Sequence, residues 1–151
     1  MAAPLRVLVV HGPNLNLLGT REPEVYGTTT LEEIDQELSE LAIKAECELE
    51  SCQSNHEGVL IDRIQGARAW ADGIIINPGG LTHSSVSLRD ALAACDMPVV
   101  EVHISNVFAR EAFRHTSLIS GIALGIISGL GTRGYRLALV ALLEHLRSSS
   151  A

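Results

Sequence analysis

The chain has 151 residues, of which 46% are hydrophobic and only 3% aromatic, so we expect one domain over 1–151 with a core of small aliphatic side chains. A formal charge of −7 argues against a nucleic-acid surface or an anionic-membrane surface, and we expect neither partner. No apolar run approaches a membrane span and no basic leader precedes the first strand, which favours a cytoplasmic protein. The surplus of apolar residues over what a small core needs predicts a homo-oligomer.

Apolar runs and helical periodicity alternate along the chain. Strands are predicted at 5–10, 47–53, 74–77, 98–105 and 122–128. Helices are predicted at 31–46, from the 54–57 turn to about 70, from 84 or 85 onward and at 135–147, with a short helical turn at 108–115 and a frayed end at 148–151. Five strands alternating with helices predict a flavodoxin-like, doubly wound α/β fold with a five-stranded parallel sheet of order 2-1-3-4-5. A ligand site is then expected where the loop after strand one faces the 77–80 loop.

The segment 12–27 is a long loop between the first strand and the first helix, and long loops in small domains are usually functional. Arg21 and Tyr26 are five positions apart within it, between Gly19 and Gly27. A turn there brings the guanidinium to the phenol, and a fixed cation lowers the pKa of a phenol so that a phenolate base becomes available. The alternative is a mobile surface loop whose Tyr and Arg are solvated.

The fourth strand carries polar residues where a central parallel strand is normally apolar on both faces. Glu101, His103 and Ser105 alternate onto one face, so Glu101 can fix the tautomer of His103 and raise its basicity, which suits a general acid. One alternative is a buried pair with a structural role only. A second alternative is a metal-dependent hydrolase that uses His83, Glu101 and His103 as ligands.

Several further sequence features exclude particular reactions and ligands. Lys44 is the only lysine among 11 basic residues and lies on the polar side of a helix, which argues against Schiff-base chemistry. The run 129–134 matches the dinucleotide fingerprint, but it follows the last strand, so we interpret it as a tight turn against a helix. Arg110 and Arg114 are four apart, and a solvated charged face is the expected position for Arg110. The three cysteines, 47, 52 and 95, lack metal-ligand spacing and are expected to be reduced.

The segments 12–27, 53–58, 77–83, 101–106 and 113–115, taken together, closely resemble the type II 3-dehydroquinate dehydratases. The resemblance spans nearly the whole chain. It implies a flavodoxin-like subunit, a dodecamer built from trimers, no cofactor and no metal. The implied activity is a lyase reaction that dehydrates 3-dehydroquinate to 3-dehydroshikimate through an enolate, in the shikimate pathway of aromatic amino acid biosynthesis or in quinate breakdown. His11 and Phe108 are small departures at positions without an assigned role.

The resemblance also implies roles for residues of this chain. Tyr26 would be the base supported by Arg21, Asn14 would stabilise the enolate with a bound water, and His103 would be the acid oriented by Glu101. The implied substrate-binding residues are Asn77, His83, Asp90, Ile104, Ser105 and Arg114, with Asp90 reaching a neighbouring subunit's site and Arg110 acting as a lid or support residue. A non-catalytic small-ligand binding module is the remaining alternative, although such a module would not need the Tyr-Arg loop.

Overall fold

The computed structural model describes residues 3–149, which contain five strands and five α-helices. The strands are β1 (Leu5–His11), β2 (Cys47–Gln53), β3 (Gly73–Asn77), β4 (Val99–His103) and β5 (Gly125–Ser128). The helices are α1 (Pro23–Tyr26), α2 (Leu31–Lys44), α3 (Glu57–Ala67), α4 (Val86–Ala94) and α5 (Arg133–Ser149). Short 3₁₀ turns occupy Leu15–Leu17, Gly79–His83, Val107–Ala109, Ala112–Arg114 and Ser120–Ile122.

The five strands form one parallel sheet in the order β2-β1-β3-β4-β5, which confirms the predicted flavodoxin-like topology. His11, the last residue of β1, pairs with Gln53 of β2 and with Asn77 of β3. The carboxyl ends of these three strands therefore lie side by side. The reversal of strand order falls between β1 and β3, where the loops after the strands diverge and leave a crevice.

Helices cover both faces of the sheet, and each face has its own apolar core. The core with α2 and α5 contains Val7, Val9, Ile75, Val100 and Val102 from the strands. The core with α3 and α4 contains Leu8, Val10, Ile74, Ile76 and Val99. Side chains alternate between the two cores because successive strand residues point to opposite faces. This alternation leaves Glu101 on the face opposite to Val100 and Val102.

Element boundaries differ from the predictions mainly near the site. The predicted strand 122–128 pairs only from Gly125, because Ser120–Ile122 forms a 3₁₀ turn first. The predicted helical turn at 108–115 is two separate 3₁₀ turns, with Arg110 extended between them at φ −114°. Residues 148 and 149, for which fraying is predicted, are the last two residues of α5, and both serine hydroxyls donate to the His145 carbonyl. Residues 150 and 151 lie outside the described residues.

Two smaller predictions were confirmed. Ser85 caps α4, with its hydroxyl accepting a hydrogen bond from the Leu88 N–H at 2.9 Å. The 129–134 run is a tight turn against α5, where Gly134 packs closely on Val102 and Ile127. In addition, no helix within residues 3–149 is both long and apolar enough to cross a membrane.

Candidate active site

Two loops pack against each other at the carboxyl ends of β1 and β3. The Gly12 N–H donates to the Asn77 carbonyl at 2.8 Å. A Cβ at Gly12 would overlap the Pro78 carbonyl oxygen, so only glycine allows this approach. Gly79 has φ +59°, and a Cβ there would meet the Pro13 carbonyl at 2.9 Å. The predicted juxtaposition of the 12–27 and 77–80 loops is confirmed.

A cavity of about 140 Å³ opens between these loops and the end of β4. Its lining includes nine of the eleven predicted site residues, namely Asn14, Arg21, Tyr26, Asn77, His83, His103, Ile104, Ser105 and Arg114. Arg110 is a further lining residue. Of the other two predicted residues, Glu101 is buried and bonded to His103, whereas Asp90 does not line the cavity of its own chain.

Two guanidinium groups lie close to the Tyr26 ring. The Cζ of Arg21 is 5.0 Å from the ring centroid, and that of Arg110 is 5.3 Å away. Arg110 Nη1 also donates to the Tyr26 hydroxyl at 2.9 Å and to the Ser105 hydroxyl at 3.2 Å. The cation predicted for this loop is therefore present, and a second one contacts the hydroxyl directly.

The predicted solvation of Arg110 was wrong. Only 16% of its side chain is exposed, because the extended backbone at Arg110 turns the guanidinium inward between Tyr26 and Ser105. Helical spacing with Arg114 could not reveal this, since the segment is not a continuous helix. The available signal was the resemblance, which implied a lid or support role at this position.

Glu101 and His103 form a buried pair. Glu101 is 1% exposed and His103 is 7% exposed, and His103 Nε2 contacts Glu101 Oε2 in a short hydrogen bond. The carboxylate also accepts hydrogen bonds from Ser120 at 2.8 Å and from Ser117 at 3.1 Å. Because Nε2 is engaged by Glu101, Nδ1 is the nitrogen through which His103 can exchange a proton with a ligand in the cavity.

Burial by itself would raise the pKa of the Glu101 carboxyl. Four opposing effects outweigh burial and hold the pKa of that carboxyl below its usual range: the hydrogen bond from His103, the charge of His103 and the hydrogen bonds from the hydroxyls of Ser120 and Ser117. Glu101 therefore stays ionised beside His103 at neutral pH. An ionised partner stabilises the protonated imidazole that a general acid needs.

Polar groups on the other walls of the cavity are suited to a ligand rich in hydroxyls and carboxylate. His83 Nδ1 is 2.8 Å from the Thr116 carbonyl oxygen. Because a carbonyl can only accept a hydrogen bond, Nδ1 is the donor and carries the proton. Arg114 is 20% exposed, and its Nε donates to Glu111 at 3.2 Å. Both side chains are thus fixed by contacts outside the cavity that they line.

Asn14 is held in place by residues that the sequence analysis did not single out. Its φ of +71° is in the left-handed region, which asparagine tolerates better than most residues. The Asn14 N–H donates to Asn55 Oδ1 at 2.9 Å, and Gln53 Nε2 donates to the Gly12 carbonyl at 3.2 Å. The only sequence signal was that 53–58 belongs to the family pattern, without an implied role for either side chain.

The arrangement does not support a metal centre built on His83, Glu101 and His103. Within residues 3–149, no three His, Cys, Asp or Glu side chains are grouped as ligands for a metal ion. His83 instead bonds a backbone carbonyl, and the carboxylate of Glu101 is occupied by His103 and two serine hydroxyls. A phenol with two cations, an ionised carboxylate–imidazole pair and polar binding groups instead define a cavity equipped for acid–base chemistry.

The family model for Dehydroquinase class II matches residues 5–143, so the chain belongs to this family. The chain is 60% identical over 141 residues to the 3-dehydroquinate dehydratase of Janthinobacterium sp. (strain Marseille), and the alignment covers 93% of this chain and 97% of the relative. The 3-dehydroquinate dehydratase of Halothermothrix orenii is 57% identical, with 96% and 98% of the two chains covered. The crystal structure of type II dehydroquinase from Butyrivibrio crossotus superposes with a TM-score of 0.92 at 44% identity, covering 94% of this chain and 99% of that one.

Proposed function

We propose that this protein is a lyase that dehydrates 3-dehydroquinate to 3-dehydroshikimate through an enolate, without a cofactor or an imine. The observation that carries the proposal is the cavity itself, in which two guanidinium groups lie close to Tyr26 and His103 is bonded to an ionised Glu101. A base and an acid on one small cavity are what a β-elimination of water requires. The names of the similar proteins support the same reaction.

Each reacting group has a proposed role. Tyr26, as a phenolate, removes the proton beside the ketone, and Arg21 and Arg110 stabilise its negative charge. Asn14 stabilises the enolate with a bound water as charge develops on the carbonyl oxygen. His103 delivers a proton from Nδ1 to the leaving hydroxyl, and Glu101 stabilises the imidazolium before that transfer.

The remaining polar groups are proposed to bind and orient the substrate. The backbone of Ile104 and Ser105, together with Asn77, holds the carboxylate and nearby groups. His83 and Arg114 bind ring hydroxyls. All five residues line the cavity, so their assignment needs no rearrangement of the fold.

We further propose a cytoplasmic homo-oligomer, a dodecamer built from trimers, in which Asp90 completes a neighbouring subunit's cavity. Asp90 has a 65% exposed side chain on α4, where it pairs with the adjacent Arg89 at 3.3 Å. Exposed apolar side chains at the β5 edge, including Leu124, Ile126 and Leu130 at 47–50% exposure, support contact between copies.

The decisive experiment is a turnover assay with 3-dehydroquinate, following the ultraviolet absorbance of the conjugated enone product. Tyr26→Phe is expected to lower kcat by about 10²-fold or more with little change in substrate affinity, because it removes the general base. Glu24→Gln, an exposed change on the same short helix α1, is the matched control and should keep normal turnover. Near-normal kcat in Tyr26→Phe would contradict the proposed base, and absence of turnover in the unmodified protein would contradict the function.

A further inference from the structure

A chain of side-chain hydrogen bonds runs beneath the cavity, from α2 to the end of β3. Asp35 Oδ1 is 2.8 Å from His11 Nε2, and His11 Nδ1 is 3.1 Å from the Tyr135 hydroxyl. Asn77 Nδ2 is 3.0 Å from the same hydroxyl. His11 is 0% exposed, Tyr135 1% and Asn77 4%. Only Asn77 of these four lines the cavity, so His11, Tyr135 and Asp35 have no part in the proposed proton transfers.

The chemistry of the four groups fixes the direction of every hydrogen bond. An amide nitrogen only donates, so Asn77 Nδ2 donates to the Tyr135 oxygen. Burial raises the pKa of the Tyr135 phenol well above its usual range, against a smaller opposing effect of the Asn77 hydrogen bond, so the phenol keeps its proton. Within residues 3–149, His11 Nδ1 is the hydrogen-bond acceptor for that proton, at 3.1 Å from the phenol oxygen. With Nδ1 accepting, His11 donates to Asp35 through its Nε2–H at 2.8 Å.

The same chain fixes both ends of the Asn77 carboxamide. Asn77 Oδ1 accepts from the Gly79 N–H at 3.2 Å, at the turn where φ is +59°. With Oδ1 on Gly79 and one Nδ2 hydrogen on Tyr135, the amide cannot flip without losing both bonds. The second hydrogen on Nδ2 is then the donor that Asn77 can offer to a ligand in the cavity.

We propose that Asp35, His11 and Tyr135 are positioning residues that hold the Asn77 carboxamide with its N–H presented to the substrate. The proposal rests on the proposed function, in which Asn77 helps to hold the carboxylate and nearby groups of 3-dehydroquinate. None of the three residues contacts the substrate. A buried polar chain in which each internal member donates one hydrogen bond and accepts another restricts its terminal group to a single orientation.

The kinetic test compares variants that break the chain with a variant that conserves it. Tyr135→Phe and Asp35→Ala are each expected to raise KM for 3-dehydroquinate about ten-fold with a smaller change in kcat, because a binding group loses its orientation. Asp35→Asn keeps an acceptor for the His11 Nε2–H and should restore near-normal KM. Glu37→Ala is the matched control because it also removes a carboxylate from α2. That carboxylate pairs with Arg136 of α5 at 3.2 Å and is not part of the hydrogen-bond chain to Asn77.

A double-mutant cycle separates positioning from general destabilisation. In an Asn77→Ala background, Tyr135→Phe is expected to have almost no further effect on kcat/KM, because its effect acts through the missing carboxamide. A full ten-fold loss in that background would overturn the proposal. Asp35 has a partly exposed side chain, so the Asp35→Ala and Asp35→Asn pair gives the same comparison if Tyr135→Phe does not fold.

A nuclear magnetic resonance measurement tests the chain without any turnover. In the ¹⁵N-labelled protein, His11 is expected to carry its proton on Nε2 and to have an unprotonated Nδ1. Tyr135→Phe should shift the Asn77 side-chain amide signals. A proton on Nδ1 of His11, or unmoved Asn77 signals in Tyr135→Phe, would overturn the proposal. If the unmodified protein does not dehydrate 3-dehydroquinate, the proposed function fails, while this measurement still decides whether the chain orients Asn77.

Discussion

Two guanidinium groups flank the Tyr26 ring, and they contact it in different ways. Arg21 lies over the ring and is 36% exposed, with its Nη2 3.6 Å from Glu22. Arg110 is 16% exposed and donates directly to the hydroxyl. A hydrogen bond from a buried cation stabilises a phenolate more than a partly exposed cation over the ring face does. We therefore expect Arg110 to contribute at least as much as Arg21 to the base.

Arg110→Ala should lower kcat by about 10- to 100-fold, since losing a hydrogen bond to a charged group costs about 1.5–3 kcal/mol. Arg110→Lys retains the positive charge but lacks the planar guanidinium group, so its kcat should lie between that of Arg110→Ala and that of the unmodified protein. Steady-state kinetics with 3-dehydroquinate provide the measurement. Arg63→Ala, which breaks an exposed pair with Glu50 on β2, is the control and should leave kcat unchanged. A normal kcat in Arg110→Ala would assign the support of Tyr26 to Arg21 alone.

Glu101 links the chemistry of the site to the stability of the fold. Its carboxyl has a lowered pKa in the folded protein, so its contribution to stability is fully present above the unfolded-state pKa of about 4.5. That contribution is lost as the pH falls through the lower folded-state pKa. The free energy of unfolding should therefore decrease below about pH 4.5, in part through this one residue.

Ser120→Ala removes the 2.8 Å hydrogen bond to the Glu101 carboxylate. At pH 7 this change should lower the free energy of unfolding by about 1–2 kcal/mol, and by less at an acid pH below the lowered folded-state pKa of Glu101, where the carboxyl is protonated. Urea unfolding at both pH values provides the measurement. Ser87→Ala, at an exposed position of α4, should cost less than about 0.5 kcal/mol at either pH. An equal loss at both pH values would show that the bond does not depend on the ionised carboxylate.

At the scale of elements, the cavity depends on the close approach of the loops after β1 and β3. The Gly12 N–H bonds the Asn77 carbonyl, and the Gly12 Cα lies directly against the Pro78 carbonyl. This contact sets the separation of the loop that carries Tyr26 from the loop that carries His83. Because the contact is between backbones, no change of rotamer can relieve a clash there.

Gly12→Ala is expected to lower the free energy of unfolding by about 2 kcal/mol or more, since an added methyl group would overlap the Pro78 carbonyl. Gly58→Ala makes the same chemical change in α3, where nothing lies within 4 Å of the added Cβ. That control should stabilise the protein by about 0.5 kcal/mol, because alanine favours the helix. Denaturant unfolding of the two variants provides the comparison. Equal stabilities for the two variants would mean that the loops separate without cost.

At the scale of the whole molecule, the proposed assembly makes activity a property of several subunits. Asp90 lies outside the cavity of its own chain and is proposed to act in a neighbour's. Asp90→Ala and Tyr26→Phe chains should therefore each be nearly inactive alone. Co-refolded mixtures should recover activity, because some cavities then combine an intact Tyr26 with an intact Asp90 from another subunit.

Activity of the mixed oligomers, with their composition verified by mass spectrometry, is the quantity to measure. The control mixture combines Tyr26→Phe with His103→Ala, two changes in the cavity of one chain, and should recover nothing. Verified mixed oligomers without activity would place Asp90 in the structure of its own subunit. Sedimentation velocity of the unmodified protein gives the size of the assembly independently.

Local patterns in the sequence were sufficient to predict the parallel sheet and the pairing of Glu101 with His103. Runs of β-branched residues separated by helical periodicity predict the parallel sheet, because those patterns follow directly from burial on two faces. The strand order then follows from the flavodoxin-like class that five such strands indicate. The pairing of Glu101 with His103 was predictable for a similar reason, since residues two apart on a strand share a face. The loop pairing at Gly12 followed from the strand order alone.

The tertiary structure alone decided which distant side chains meet. Arg110 and Tyr26 are 84 positions apart, Asn14 and Asn55 are 41 apart, and His11 and Tyr135 are 124 apart. No periodicity connects such residues, because their contact depends on loop backbone angles and on how α5 packs across the ends of β1 and β3. Residues 108–115 show this most clearly: helical spacing predicted a solvated Arg110, and one extended residue between two 3₁₀ turns buried it against Tyr26 instead.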